Sequence, residues 1–212
     1  MIRIGSKSYQ QVWFVDYEFV ALDGERPDPV VCLVAKELLS GETIRLWGDM
    51  LRKLKRPPYP TGEDSLFVAY YASAEFNCHL ALGWPLPVNV LDLFTEFRCI
   101  TNGKTLPCGA GLLGALTYFG LSCLDAVEKT AMRDLIMSGG PWSEQEKLDI
   151  FDYCESDVIA LEKLLPKMVP FLNISLSLLR GRYMKAVAQI ERNGIPIDME
   201  TLAAFKNSWD SL

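Results

Sequence analysis

The chain opens with runs in which large apolar residues dominate and polar ones punctuate. Tyr9–Val20, Val30–Glu37 and Thr43–Trp47 are rich in Val, Ile, Trp and Phe, residues that suit a pleated, half-buried surface. The turn signals Asp23-Gly24 and Ser40-Gly41 separate them, so an antiparallel meander is predicted. A basic, proline-rich loop from Arg52 to Pro60 follows. Next come a short apolar strand at Leu66–Tyr70 and a helix that Ser73 is placed to cap, ending before Gly83 and Pro85. Val88–Leu91 reads as a further short strand, and from Asp92 onward the pattern is mainly helical. The predicted class is mixed α/β.

The helix predicted from Glu144 to Pro166 has the clearest start, with Pro141, then Ser143 and Glu146 in the capping-box spacing. A second helical region begins near Asn173 and runs through Arg180, Arg182 and Lys185. Asn193-Gly194 and Pro196 stop it, and Asp198 is placed to cap a last helix. Residues 173–212 therefore read as a helical appendage to a domain spanning 1–172.

Against this background some acids stand out of place. In Val12–Val20 both alternating faces carry large apolar residues, the pattern of a central strand covered on both sides. Asp16 and Glu18 project from the same face as Val12, Phe14 and Val20. Two neighbouring anions there repel each other and lose hydration, a cost that a bound cation offsets; an edge strand with a wet end is the plainer alternative. The late helix repeats the anomaly. Ile150, Tyr153, Asp157, Leu161 and Leu164 recur at three- and four-residue steps, with an acid inside the apolar stripe. The plainer reading there is a half-buried tyrosine and an Asp paired to a nearby base. Glu75 falls in the first turn of the helix after Leu66–Tyr70, where the helix dipole alone favours an acid. A strand-to-helix junction beside a central strand is also where α/β proteins build sites. His79, one turn on, reads as structural, because hard divalent cations prefer oxygen.

With 212 residues, 50% of them hydrophobic and 23% charged, the chain has enough for one globular domain and a little more. Its 21 Lys and Arg against 27 Asp and Glu give a net charge of −6, so any grip on nucleic acid has to come from local patches or bridging cations. Arg52, Lys53, Lys55 and Arg56 beside Tyr59 offer such a patch, able to hold single-stranded backbone and stack a base, or else form a solvated loop. The six cysteines form no Cys-x-x-Cys pair and there is one histidine, which excludes most zinc arrangements and fits a reducing cytoplasm. No apolar run reaches membrane-spanning length and no secretion signal is present.

The set Asp16-x-Glu18, Glu75 and Tyr153-x-x-x-Asp157 resembles the three motifs of the DEDD exonucleases, tyrosine subgroup; the histidine subgroup needs a histidine at position 152, where Asp152 stands. Within that superfamily the segments Val12–Val20, Val68–Phe97, Ser143–Met168 and Gly181–Leu202 resemble the proofreading exonuclease of family A, bacterial polymerase I-like, DNA polymerases. The resemblance implies an RNase H-like fold, a mixed central sheet with flanking helices. It implies two Mg2+ or Mn2+ ions held by Asp16, Glu18, Glu75 and Asp157, with Tyr153 aiming the attacking water. The implied reaction is hydrolysis of single-stranded DNA from its 3′ end to 5′ mononucleotides, as the proofreading partner of a polymerase domain whose start 173–212 resembles. A monomer in the cytoplasm is the expected state. Glu75 stands where this family has Asp, and Tyr71 where it has Asn; Asp92 matches a downstream Asp that caps the following helix. Two alternatives stay open: an inert scaffold of the same fold, and a stand-alone exoribonuclease, since a contact with the 2′ hydroxyl depends on geometry.

Overall fold

The computed structural model describes residues 1–4, 7–21, 26–121 and 126–209, with the side chains of 126–128 left out. The expected Asp23-Gly24 turn and Cys123 lie outside them. A hairpin of β1 (Ile2–Ile4) and β2 (Lys7–Tyr9) comes first. The long apolar run expected from Tyr9 is interrupted at Gln10, whose N–H donates to the Asp64 carbonyl, and β3 begins at Gln11 and ends at Phe19. β4 (Val30–Glu37) and β5 (Thr43–Trp47) complete the antiparallel meander with the predicted bounds.

After the short α1 (Gly48–Leu51) the chain crosses over to β6 (Ser65–Ala69), which pairs parallel with β3. Then come α2 (Ala72–Leu82) and β7 (Asn89–Asp92), parallel to β6. The remainder is helical: α3 (Leu93–Ile100), α4 (Leu112–Tyr118), α5 (Ala126–Met137), α6 (Glu144–Met168), α7 (Ile174–Asn193) and α8 (Met199–Ser208). The sheet order is β5-β4-β3-β6-β7, which puts β3 in the centre.

The period-two pattern of β3 now has two destinations. Val12, Phe14 and Val20 join one core with Ile150, Cys154, Val158 and Leu161 of α6. Trp13, Val15 and Tyr17 join the other with Phe76 of α2 and Met184 and Ala188 of α7. Phe14 and Phe76, one in each core, are fully buried, and each contributes about 2–3 kcal/mol by leaving water. The α7 helix closes on β7 because position 181 is glycine: a Cβ there would lie 2.1 Å from the Val90 carbonyl oxygen.

The expected capping box is present at Ser143 and Glu146, and Asn173 and Asp198 cap α7 and α8. Ser73 is not a cap. The helix starts two residues earlier than a Ser73 cap implies, Tyr71 is its N-cap, and the Tyr71 and Ala72 N–H groups donate to the Asp92 carboxylate across the sheet end. With that role filled, the Ser73 hydroxyl is buried without a partner among the described residues. No described helix is long and apolar enough to cross a membrane.

Candidate functional site

The parallel strands β3, β6 and β7 lie side by side; β6 and β7 end together at the Ala69–Asp92 pair while β3 runs on to Phe19, and open α/β sheets bind ligands at such carboxyl ends. Asp16 and Glu18 lie past the last β3–β6 register pair, Phe14 with Val68. The β3–β4 register shifts at Glu18/Phe19, a bulge of the sort that redirects side chains beside sites. Tyr71 leads from β6 into α2 with φ 75 and ψ 57, and it alone among described non-glycine residues has positive φ. A left-handed tyrosine costs roughly 1–3 kcal/mol and persists when its surroundings over-determine it. Here Asp92 accepts the Tyr71 and Ala72 N–H groups while capping α3 through Phe94 and Thr95, and the Tyr71 ring packs edge-on against Phe94. This clamp fixes the first turn of α2, and with it Glu75.

Glu75 is buried. It accepts the backbone N–H of Tyr17, while its Oε2 has no partner among the described residues. Burial first, then the charges of Asp16 and Glu18, hold its carboxyl well above the usual range. The Asp16 carboxyl is pushed up to about 8, by burial and then by the Asp157 charge. Burial and the Asp16 charge likewise raise Glu18. For Asp16 and Glu18 burial and the neighbouring acids outweigh the opposing charge of Lys129.

On α6 the deepest row is Ile150, Cys154, Val158 and Leu161, with Tyr153 and Asp157 half-buried on its flank. The predicted stripe is thus turned slightly: Tyr153 and Asp157 share a side, but at the edge of the core, facing β3. Burial and then the Asp157 charge raise the Tyr153 phenol well above its ordinary value, so it stays protonated at neutral pH. Glu18 and Tyr153 line one cavity of about 300 Å3 with Phe19, Ala21 and Arg133. A larger cavity, about 600 Å3, lies by the end of α3, with Arg98 and Lys104 in its lining but no acid to hold an ion.

Sequence reading missed two participants. Lys129 of α5 forms an ion pair with Asp157, and its Nζ lies 5.6 Å from the centre of the Tyr153 ring. The nearby base of the plainer reading of Asp157 is therefore real; only its position in the chain was hidden. Cys154 donates its thiol to Asp16 Oδ2 at 3.2 Å. One ligand atom each from Asp16, Glu18 and Cys154 lie within 4.8 Å of one another; Asp157 and Glu75 stand outside that tight group, held by Lys129 and Tyr17. The signal for Cys154 was its place in the i, i+4 row with Ile150 and Val158.

Two other expectations resolve clearly. His79 is buried, hydrogen-bonded to Tyr59 and to the Pro85 carbonyl, a structural histidine as read. Tyr59 is 4% exposed and bonded to Tyr17 and His79, so it cannot stack a base beside Arg52–Arg56. Its ring fills the core between Trp13 and Phe67 instead.

No protein-family model matches the chain, and no curated protein matches it. Solved structures do. An apo-form nuclease superimposes with a TM-score of 0.63 over 88% of this chain and 86% of its own, at 14% identity. Escherichia coli RNase D, described as an exoribonuclease involved in structured RNA processing, gives a TM-score of 0.54 at 16% identity. That match covers 94% of this chain and 49% of RNase D, so the chain spans about half of that protein. At these identities the likeness establishes the architecture: a mixed five-stranded sheet with flanking helices, the fold of exonucleases such as RNase D.

Proposed function

We propose that this chain is a metal-dependent 3′-to-5′ exonuclease of the tyrosine-type DEDD class, with Glu75 in place of the second-motif Asp, acting on single-stranded DNA ends. The observation that carries the reading is the Oε2 of buried Glu75, without a partner among the described residues and in the field of Asp16 and Glu18. A buried carboxylate oxygen without a donor costs about 1–3 kcal/mol or more, and a cation offsets both that cost and the mutual repulsion. The donors are all hard oxygens apart from Cys154, which fits Mg2+ or Mn2+. Asp16, Glu18, Glu75 and Asp157 are the residues that would hold them. Two such ions, when bound, supply an activated water and charge stabilisation for the leaving 3′ oxygen.

The chain's own groups do the rest. Tyr153, kept protonated by its surroundings, orients water by hydrogen bonding and does not act as a base. Lys129 offsets the Asp157 charge, and Arg133 on the cavity wall supplies a cation for the terminal phosphate. A proofreading role beside a polymerase domain, begun by 173–212 in a longer chain, belongs to the same proposal.

A second reading, an exoribonuclease, is supported by the likeness to RNase D. One assay addresses both: 5′-labelled single-stranded DNA and RNA of one sequence, with Mg2+ or Mn2+, with chelator, and with a blocked 3′ end. Mononucleotides released stepwise from the open DNA 3′ end, and lost on chelation, are expected. Faster release from RNA makes the second reading the right one, and cutting of circular DNA at the same rate removes the exonuclease assignment. Metal binding without hydrolysis of either strand leaves an inert scaffold.

A further inference from the structure

The Cys154 thiol touches a carboxylate that the proposed reaction needs, and that reaction gives it no task. Its sulfur is buried, 3.2 Å from Asp16 Oδ2 and 3.4 Å from the Asp16 carbonyl oxygen, and it also hydrogen-bonds the side chain of Cys32. Cys32 sits on β4 opposite Glu18 in the ladder. One side of the acid cluster is therefore lined with sulfur. A second observation beside the group points to a ligand: the Glu75 oxygen that is buried and unpartnered among the described residues, and on which the Asp16 and Glu18 charges act.

Ligand type sorts divalent ions more strongly than site size does: thiolate selects Zn2+ and its heavier congener Cd2+, whereas carboxylate and water suit Mg2+ and Mn2+. A thiolate adds to the general affinity order, which already puts Zn2+ above Mn2+ at an oxygen site, a preference that excess Mg2+ overcomes less readily. We propose that Asp16, Glu18 and Cys154 form a binding site for a thiophilic divalent cation, with the Cys154 sulfur as its selecting ligand. The thiol proton passes to solvent as the sulfur–metal bond forms. This rests on the same reading of the acids as metal ligands, but not on hydrolysis. Because Asp16 and Glu18 are shared, a bound soft ion excludes a hard one, and Zn2+ inhibits the Mg2+-supported reaction.

Cd2+ alone is the probe, since its bond to thiolate gives an ultraviolet charge-transfer band that needs no substrate and no activity. Exposed Cys99 and Cys108, and Cys123, are first replaced by Ser to remove competing thiols. In that background, titration of the metal-free protein should give a band saturating at one ion per chain, resistant to a large excess of Mg2+. Cys154→Ala should abolish it, and Asp16→Asn should weaken Cd2+ affinity by about tenfold or more. Should Cys154→Ala fail to fold, Cys154→Ser keeps the shape with a hard oxygen, and it should lose the band while remaining folded. A band that survives either folded Cys154 variant, or no band in the background protein, overturns the proposal. Hydrolysis in Mg2+ with no Cys154-dependent band overturns the thiolate site and leaves the exonuclease standing. A Cys154-dependent band in a protein without hydrolytic activity supports the site and removes the exonuclease.

Discussion

Both faces of β3 carry buried polar groups, and they resolve them in opposite ways. On one face Tyr17, Tyr59 and His79 form a chain: 2.7 Å between the two phenol oxygens, 2.6 Å from Tyr59 to His79 Nε2, and 2.9 Å from Nδ1 to the Pro85 carbonyl. A carbonyl only accepts, so Nδ1 carries the proton. Burial lowers the His79 pKa to about 4, so Nε2 is a bare acceptor, and Tyr59 donates to it while Tyr17 donates to Tyr59. Every group in the chain is satisfied within the protein. On the other face burial raises the carboxyls of Asp16, Glu18 and Asp157, neighbouring acids add to it for Asp16 and Glu18, and Lys129 offsets part of the charge; at the strand end the Asp16 and Glu18 charges act on Glu75, one of whose oxygens has no donor among the described residues. A complete network rigidifies a core, whereas an incomplete one points to something that completes it.

Substitutions on the two faces should therefore separate rate from stability. Asp16→Ala is expected to lower hydrolysis by ~10³-fold or more while leaving Tm unchanged or higher, since it removes a carboxyl whose charged form burial and the Asp157 charge disfavour. A rate within a few-fold of wild type would break the contrast outright. Glu75→Ala should cost ~10²-fold in rate, and Glu75→Asp much less, because charge and helix position are kept. If Glu75 serves only the helix dipole, both variants leave the rate intact and cost less than about 1 kcal/mol. For Tyr153→Phe, kcat should fall by roughly tenfold with KM and metal affinity little changed, the ring still packing while the water-orienting hydroxyl is gone; an unaltered kcat returns Tyr153 to a packing role.

The acid face also makes a prediction about pH. Asp16 has a folded pKa of about 8 against an ordinary value of 3.8. Between those values the folded, metal-free chain holds a proton that the unfolded chain has released. Stability is therefore greatest at the acid end of the window and is lost as pH rises through it. One such proton is worth about 1.4 kcal/mol per pH unit, or roughly 3 °C in Tm for a chain of this size, and Glu18, Glu75 and Asp157 shift in the same direction. Thermal melts in chelator should show the decline, Asp16→Asn should reduce it, and saturating Mg2+ should flatten it. A Tm rising with pH across the window contradicts the charge assignment.

The smallest effect on rate is expected on the satisfied face. Tyr59→Phe strands the Tyr17 hydroxyl and His79 Nε2, so it should destabilise by about 1–3 kcal/mol with kcat unaltered. A lost rate with an unchanged Tm would mean the tyrosine–histidine chain serves the site after all.

What the sequence determined by itself was whatever repeats over short spans. The alternation in Gln11–Phe19 placed Asp16 and Glu18 together on one face of a central strand, and the Ser143–Glu146, Asn173 and Asp198 signals placed helix starts, because these depend on neighbours two to four residues away. The same periodicity put Tyr153 and Asp157 on one side of α6, though not at its deepest row. Tertiary structure alone decided which groups meet across the chain. Lys129 reaches Asp157 over 28 residues and Cys154 reaches Asp16 over 138. Asp92, 20 residues on, takes the Ala72 amide that Ser73 was expected to accompany as cap. Tyr59, exposed by its basic neighbours in sequence, is drawn into the core by the Trp13, Phe67 and His79 surfaces. Such contacts follow from the order in which strands lie in the sheet, and local residue patterns carry no record of that order.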